Sequence, residues 1–302
     1  MHGDTTALFV RDRGAGWTQA YPAKSKSTEE VKVAVQDFKG PAKVDLWYSD
    51  GAPELHAACR EEGIRHDKAD PHRSETNGVI ERTNRTVIEG ARTLLFQSGL
   101  PYKYWRSAMK CFCSLYNFEH VDKKKGTVAY KQRHGEMFQG KLIPYGARIR
   151  YLPAAERELQ KREKLDASLR DAIFVGYRMH SGGRWTGQYL ILDAEAYTEI
   201  PEGSHRCAYE HATSEIYIPG STGDDTETYP TFPVAEGAIK EAPKVQNEDS
   251  PVVTTDSPNL LTTDVDETKI TSERPATYLS DDDAYPGGRH HQWHRKWRHS
   301  AT

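Results

Sequence analysis

The sequence predicts a mixed α/β unit built on one main sheet, then a small all-β barrel, then a disordered tail. Three observations carry that prediction. Residues 1–120 alternate short apolar runs of strand composition with segments of helical periodicity. Residues 121–217 hold short strands punctuated by Gly126, Gly135, Gly140, Pro144-Tyr145-Gly146 and Pro153, the pattern of a barrel or meander. Residues 218–302 are rich in Thr, Ser, Pro and acids, with too few hydrophobics to offset the entropy of ordering. The hydrophobic fraction of 36% and mean hydropathy of -0.79 fit a chain folded over only part of its length.

The elements follow in order. Thr6–Arg11 and Trp17–Pro22 flank Arg13-Gly14-Ala15-Gly16 and read as a β-hairpin. Ser27 is the N-cap of a helix with Glu30 at the capping-box position. Val31, Val35 and Phe38 form its apolar face, and Gly40-Pro41 ends it. Val44-Asp45-Leu46-Trp47-Tyr48 has strand composition and stops at Gly51 and Pro53. Glu54–Glu62 reads as a short helix and Ile64-Arg65-His66 as a short strand. A long helix runs from Gly78 to Ser98, introduced by Asn77-Gly78, with Ile80, Val87, Ile88, Ala91, Leu94 and Leu95 on one face. Glu81, Arg85, Ile88 and Arg92 share an adjacent face, which sets Glu81 beside a basic stripe. Tyr102–Tyr116 is a further amphipathic helix. In the all-β region, Arg148–Leu152, Ala172–Tyr177 and Gln188–Leu192 are strands, and the charged run Glu156–Lys164 is an exposed insertion.

The net charge of -3 conceals a division. Residues 221–283 carry fifteen acids and four bases, residues 284–302 four bases and no acids, so the body is mildly basic. That balance suits nucleic acid weakly. The aromatic and basic end, Arg289 to His299, offers Trp293 and Trp297 for stacking, but read-through sequence without a role is the plainer account. No apolar run reaches membrane-span length and no signal-peptide core opens the chain, which points to the nucleus or a cytoplasmic particle. Four cysteines (Cys59, Cys111, Cys113, Cys207) are too few and too irregular for a disulfide framework or zinc knuckle.

The chemistry centres on two acids. Asp50 ends a strand and Glu81 lies in the first turn of the long helix, so both carboxylates can share a pair of divalent cations. Such a pair, roughly 3.5–4 Å apart, clamps the attacking and leaving oxygens of an in-line phosphoryl displacement. The bland alternatives are a turn or cap carboxylate for Asp50 and an ion pair with Arg85 at i+4 for Glu81, worth roughly 0.2–0.5 kcal/mol. Arg82, Asn84, Arg85 and Arg92 are candidates for DNA phosphates, against the alternative of a solvated basic face. Lys24, Lys26 and Lys123-Lys124-Lys125 read as ordinary surface, Glu54 as a cap or solvent-facing acid, and Asp12 as a turn former.

Ser49-Asp50-Gly51-Ala52-Pro53-Glu54, Pro71-His72, Asn77 through Arg85 and Leu100-Pro101 resemble the catalytic core of copia-type long-terminal-repeat retrotransposon integrases, over residues 5–120. Gly135 to Lys141 and Phe174-Val175-Gly176-Tyr177 resemble the small β-barrel that follows that core. The resemblance implies a ribonuclease H-like fold and an Asp, Asp, Glu site binding two Mg²⁺ or Mn²⁺, with Asp50 as second carboxylate and Glu81 as third. It implies a polynucleotidyl transferase that trims the 3′ ends of element DNA and joins them to target DNA, and a homo-oligomer in the complete enzyme. Gly51 stands where the family often has Asn, and Ser74 where it often has Pro; neither position supplies a ligand.

The family's first Asp belongs to a strand ahead of the hairpin. Here the hairpin begins almost at Met1, neither Asp4 nor Asp12 matches that position, and the family's upstream His/Cys zinc module has no counterpart. The expectation is a truncated piece of a Pol polyprotein, with Met1 an internal methionine and the isolated chain nearly inactive. The alternatives are a catalytically inert nucleic-acid-binding remnant and a core too unstable to persist.

Overall fold

A computed structural model describes residues 3–49, 51–68, 74–153, 168–219 and 230–243, with the backbone alone at 74–77. The hairpin forms as expected: β1 (Thr6–Arg11) pairs antiparallel with β2 (Thr18–Ala23), Arg11 opposite Thr18. Asp12 shapes its turn, one carboxylate oxygen accepting from the N–H groups of Gly14 (2.7 Å) and Ala15 (3.2 Å). In α1 (Thr28–Lys39) the Ser27 hydroxyl accepts from the Glu30 N–H at 3.3 Å. The Glu30 carboxylate returns to the Ser25 N–H (2.7 Å), so the reciprocal bond of the capping box closes two residues early. Gly40 ends the helix at positive φ, where a Cβ would lie 2.6 Å from the Gly182 Cα.

Next, β3 (Leu46–Ser49), α2 (Pro53–Glu61) and β4 (Arg65–Lys68) make a crossover unit, with β3 and β4 parallel. The hairpin and this pair do not join in one main sheet. They are separate two-stranded sheets, because a cavity of about 2300 Å³ lies along them and no backbone ladder crosses it among the described residues.

The long helix, α3 (Ser74–Ser98), starts four residues earlier than its sequence signals suggest. Asn77 and Gly78 therefore lie inside it, and Glu81 sits two turns in rather than in the first turn. Burial of Thr83, Val87, Ala91 and Leu95 along one stripe carries the helix past the weak Asn-Gly pair, as tertiary packing commonly overrides propensity. After a 3₁₀ turn (Tyr102–Tyr104), α4 (Trp105–Glu119) packs against α3 and the hairpin. Buried Asn117 accepts from the Thr18 N–H (2.9 Å) and donates to the Thr18 carbonyl (2.7 Å), which pins α4 to β2.

A small pair, β5 (Val121–Asp122) and β6 (Thr127–Val128), leads into α5 (Ala129–His134). The expected barrel strands form an antiparallel sheet: β7 (Arg148–Tyr151), β8 (Arg170–Met179), β9 (Trp185–Asp193), β10 (Glu210–Thr213) and β11 (Ile216–Tyr217), in the order β10-β9-β8-β7-β11. Its edges, β10 and β11, are not paired to each other among the described residues, so the sheet is open there rather than closed into a barrel. Between β9 and β10, α6 (Ala194–Thr198) is capped by Asp193, which also accepts from the buried Tyr151 hydroxyl (2.7 Å). The sheet packs on α4; Phe118 stacks on Phe138 with centroids 3.8 Å apart.

Residues 230–243 correct the expectation of disorder from 218 onward. Phe232, Val234 and Ile239 pack on the core, the Thr231 carbonyl accepts from Arg148 N–H (2.9 Å), and Lys103 pairs with Glu241 at 2.6 Å. Three apolar anchors and a shielded ion pair suffice where the average composition does not. The charged run 156–164 and the aromatic end 289–299 lie outside the described residues. No helix among the described residues is long and apolar enough to cross a membrane.

Candidate functional site

α3 carries every helical residue of the predicted site. Glu81 is exposed on the cavity wall. The same wall takes in Ser49 at the end of β3, and Ala52 and Glu54 at the start of α2. Asp50 and the Pro71-His72 pair lie outside the described residues, but both flanks of Asp50 are defined. The chain turns there at Gly51 (φ 89), whose N–H donates to the Ser49 hydroxyl at 3.2 Å. The structure thus brings Glu81 and the segment around Asp50 to one cavity.

Ser49 is held by a neighbour that sequence reasoning missed. Its hydroxyl is 2.8 Å from His66 Nε2 on the paired strand, and the His66 ring meets His56 edge-on at 5.5 Å. Burial holds His66 below the usual imidazole range, and His56 and Lys68 add to the effect. His66 stands opposite Trp47 in the parallel register, seventeen residues from Ser49 along the chain, and no local motif marks it.

Glu81 is an exposed helix acid that forms no ion pair with Arg85 among the described residues. Arg82, Arg85 and Arg92 are likewise exposed and without ion pairs there, while Asn84 is half-buried on the cavity wall. The other acids near the front have partners. Asp4 pairs with Arg106 at 3.0 Å with its side chain 8% exposed, and Asp12 pairs with Arg133 at 3.4 Å besides shaping its turn. Both also border the cavity that Glu81 lines, each already engaged by an arginine. Lys125, read as surface, donates to the Gly14 carbonyl and ties the β5–β6 turn to the hairpin.

Carboxylate oxygens are donors of the type that hard divalent cations take. Glu81 and Glu54 border the cavity, and carboxylates of this kind are the donors that Mg²⁺ or Mn²⁺ takes. Among the described residues, which exclude Asp50, no three His, Cys, Asp or Glu side chains group to hold a metal ion. Lys110 of α4 also borders the cavity, at an exposed position.

The chain is 31% identical over 125 residues to the retrovirus-related Pol polyprotein from transposon TNT 1-94 of Nicotiana tabacum, covering 41% of this chain and 9% of that protein. It is 33% identical over 119 residues to that from transposon RE1 of Arabidopsis thaliana, covering 36% of this chain and 8% of the relative. It therefore spans less than a tenth of the length of the relatives it matches. Among solved structures it is similar to the HTLV-2 integrase catalytic core domain in complex with magnesium (trimeric form), at 15% identity and a TM-score of 0.34, over 43% of this chain and 93% of that one. No protein-family model matches the chain. Its sequence relatives are thus Pol polyproteins of retroelements, and the resemblance read from the motifs points the same way.

Proposed function

We propose that the chain is the integrase segment of a retroelement Pol polyprotein, with a ribonuclease H-like core. In its complete form it trims the 3′ ends of element DNA and transfers them into target DNA. The observation that carries this reading is that Glu81, Ser49, Ala52 and Glu54 line one cavity. Asp50 and Glu81 are the residues that would hold Mg²⁺ or Mn²⁺, since carboxylate oxygens are the donors such hard cations take. Held there, a pair of such cations would supply the positive charge that favours both the attacking and the leaving oxygen of an in-line displacement. The protein's own part is to fix that geometry. The Ser49–His66 contact holds the strand end, the α3 backbone aims Glu81, and Arg82, Arg85 and Arg92 draw DNA phosphates along the same helix. The complete enzyme acts as a homo-oligomer.

The test separates binding from turnover. Titration of the full chain with Mn²⁺, followed by electron paramagnetic resonance, should show saturable binding that Glu81→Gln and Asp50→Asn each weaken about tenfold or more, a loss of at least 1.4 kcal/mol. Strand transfer on an oligonucleotide bearing the element end should fall by orders of magnitude in Glu81→Gln and in Asp50→Asn. Robust turnover that Glu81→Gln leaves untouched would overturn the assignment of Glu81.

A second reading is favoured by the exposed arginines: a nucleic-acid-binding remnant without catalysis. It predicts salt-sensitive DNA binding with no sequence preference and no response to Mn²⁺.

A further inference from the structure

We infer that a small pocket between α3 and α4 binds a pyrimidine nucleotide, with the ring inside and the phosphate at two arginines.

The pocket follows from how the two helices cross. At Gly90 they touch: a Cβ there would run into the Phe112 ring. Towards the start of α3 the facing side chains are small, Thr83, Thr86 and Val87 against Cys113, and they leave a cavity of about 170 Å³. Protein interiors otherwise hold few voids larger than a water molecule. A dry cavity of about 150 Å³ takes up one benzene ring. The pocket therefore has room for a single six-membered ring and not for the fused rings of a purine.

The walls select a ring that carries an anionic group. Phe112 and Tyr116 both line the pocket, their centroids 5.9 Å apart, and the Tyr116 ring stacks in turn on His120 at 4.4 Å. Aromatic side chains of this kind hold nucleobases by stacking. Thr83 and Thr86 donate to the Val79 and Arg82 carbonyls (2.8 and 2.9 Å) and keep acceptor lone pairs, which suit the amino group of cytosine.

The charge around the pocket is of one sign. Arg11 and Arg82 line it, and no Asp or Glu among the described residues does. Neither arginine has an ion pair among the described residues, and Arg11 is steadied by donating to the Thr18 hydroxyl at 3.3 Å. Asp122, an acid whose charge reaches Arg11, is engaged by the N–H groups of Lys124 (2.8 Å) and Lys125 (3.3 Å). Guanidinium groups with donors to spare are natural partners of phosphate.

In naming DNA as a source of the nucleotide, the inference rests on the integrase reading. Arg82 follows Glu81 in α3, and Val79 borders both this pocket and the large cavity. Extruding a base from a duplex costs least where the base is already unpaired, so an unpaired cytosine of a DNA strand is the occupant that reading supplies. A free nucleotide offers the same chemistry.

The experiment titrates the full chain, without divalent cation, with cytidine 5′-monophosphate, followed by calorimetry and amide hydrogen exchange. The expected result is saturable binding that slows exchange across residues 82–87 and 112–116. Cytidine lacks the charge-assisted hydrogen bonds and should bind about tenfold more weakly. Adenosine 5′-monophosphate overpacks the pocket and should lose about tenfold as well. Arg82→Gln should remove the advantage of the phosphate and leave cytidine binding unchanged. Thr86→Leu fills the pocket from a half-buried helix position. It should weaken every ligand about tenfold or more without lowering the melting temperature. A duplex with one unpaired cytosine should bind about tenfold more tightly than its fully paired form, and Thr86→Leu should erase that gain. Binding of the free nucleotide without that gain supports the pocket and assigns it to free nucleotides. Glu81→Gln should not weaken nucleotide binding even where it abolishes Mn²⁺ binding, so failure of the metal site and failure of the pocket are read separately. Three results would overturn the proposal: equal binding of the cytidine and adenosine monophosphates, binding that Thr86→Leu leaves intact, or no saturation at about millimolar nucleotide.

Discussion

Asn117 shows how much one polar side chain can decide in this fold. It is buried on α4 and satisfies both backbone groups of Thr18, so its loss strands an N–H and a C=O where water does not reach. Asn117→Ala should lower the unfolding free energy by about 2–4 kcal/mol, measured by denaturant titration, because each unsatisfied buried group costs on the order of 1–3 kcal/mol. His134 sets an acid limit. Burial is the main cause of its lowered pKa, with Arg133 and Arg184 adding, and its Nε2 is 3.1 Å from the Gly183 carbonyl. His66 is shifted the same way by burial and His56. A histidine held neutral in the fold binds its proton first in the unfolded chain. Stability should therefore fall as pH drops below about 6.5, and the decline should end at the folded-state values. Carboxylates held low by partners, such as Glu62 beside Lys39, contribute only at still lower pH. Melting temperatures from pH 7.5 to 5 should slope downward, and His134→Gln with His66→Gln should flatten the slope. None of these roles is written in local sequence. Asn117 meets Thr18 ninety-nine residues away, and a lone Asn near a helix end reads only as a cap or a surface group.

Helices α1, α3 and α4 were legible because period, caps and breakers agree there: Ser27 with Glu30, Gly40, and Gly99-Leu100-Pro101. The hairpin was legible from its glycine-rich turn, and the two strands around α2, though not their parallel pairing, from composition and breakers. What escaped was pairing at a distance. A single main sheet is the natural reading of that order of elements, yet no ladder joins its halves among the described residues. The strap at 230–243 escaped because composition averages over a window, whereas three side chains and one ion pair hold it. That ion pair gives the element its own test. Lys103 and Glu241 meet at 2.6 Å with side chains 13% and 7% exposed, and Lys103 also donates to the Ser204 carbonyl at 3.0 Å. Glu241→Ala leaves a shielded ammonium without its counter-charge and should cost about 3–5 kcal/mol, with the strap becoming protease-sensitive first. The paired change Lys103→Met with Glu241→Leu removes both charges and should recover most of that loss. If the double variant is no better than the single one, the ion pair is not what holds the strap.

For the molecule as a whole, the question is what a net charge of -3 lets it bind. The total is misleading, since the excess of acids sits in residues 221–283 while Arg82, Arg85 and Arg92 are exposed along one helix without ion pairs among the described residues. Fields act locally over a Debye length of about 8 Å at physiological salt, so the helix presents a positive stripe whatever the distant sum. The site was legible to the same extent: the motif marked Glu81 and the arginines, but their free state rests on the absence of neighbours, which no sequence pattern reports. Each arginine that meets a phosphate releases condensed counterions, and for duplex DNA each adds about 0.9 to the slope of log affinity against log salt. Replacing all three with glutamine should therefore flatten that slope by up to about three, measured by fluorescence anisotropy on a random-sequence duplex between 50 and 200 mM salt. Glu81→Gln should act in the opposite sense, tightening metal-free binding by removing a repelling carboxylate beside the stripe. The two sets of changes separate the proposed roles, the arginines to hold DNA and Glu81 to bring a divalent cation to it. A slope unchanged in the triple variant would place DNA on a different face of the protein and remove α3 from the interface.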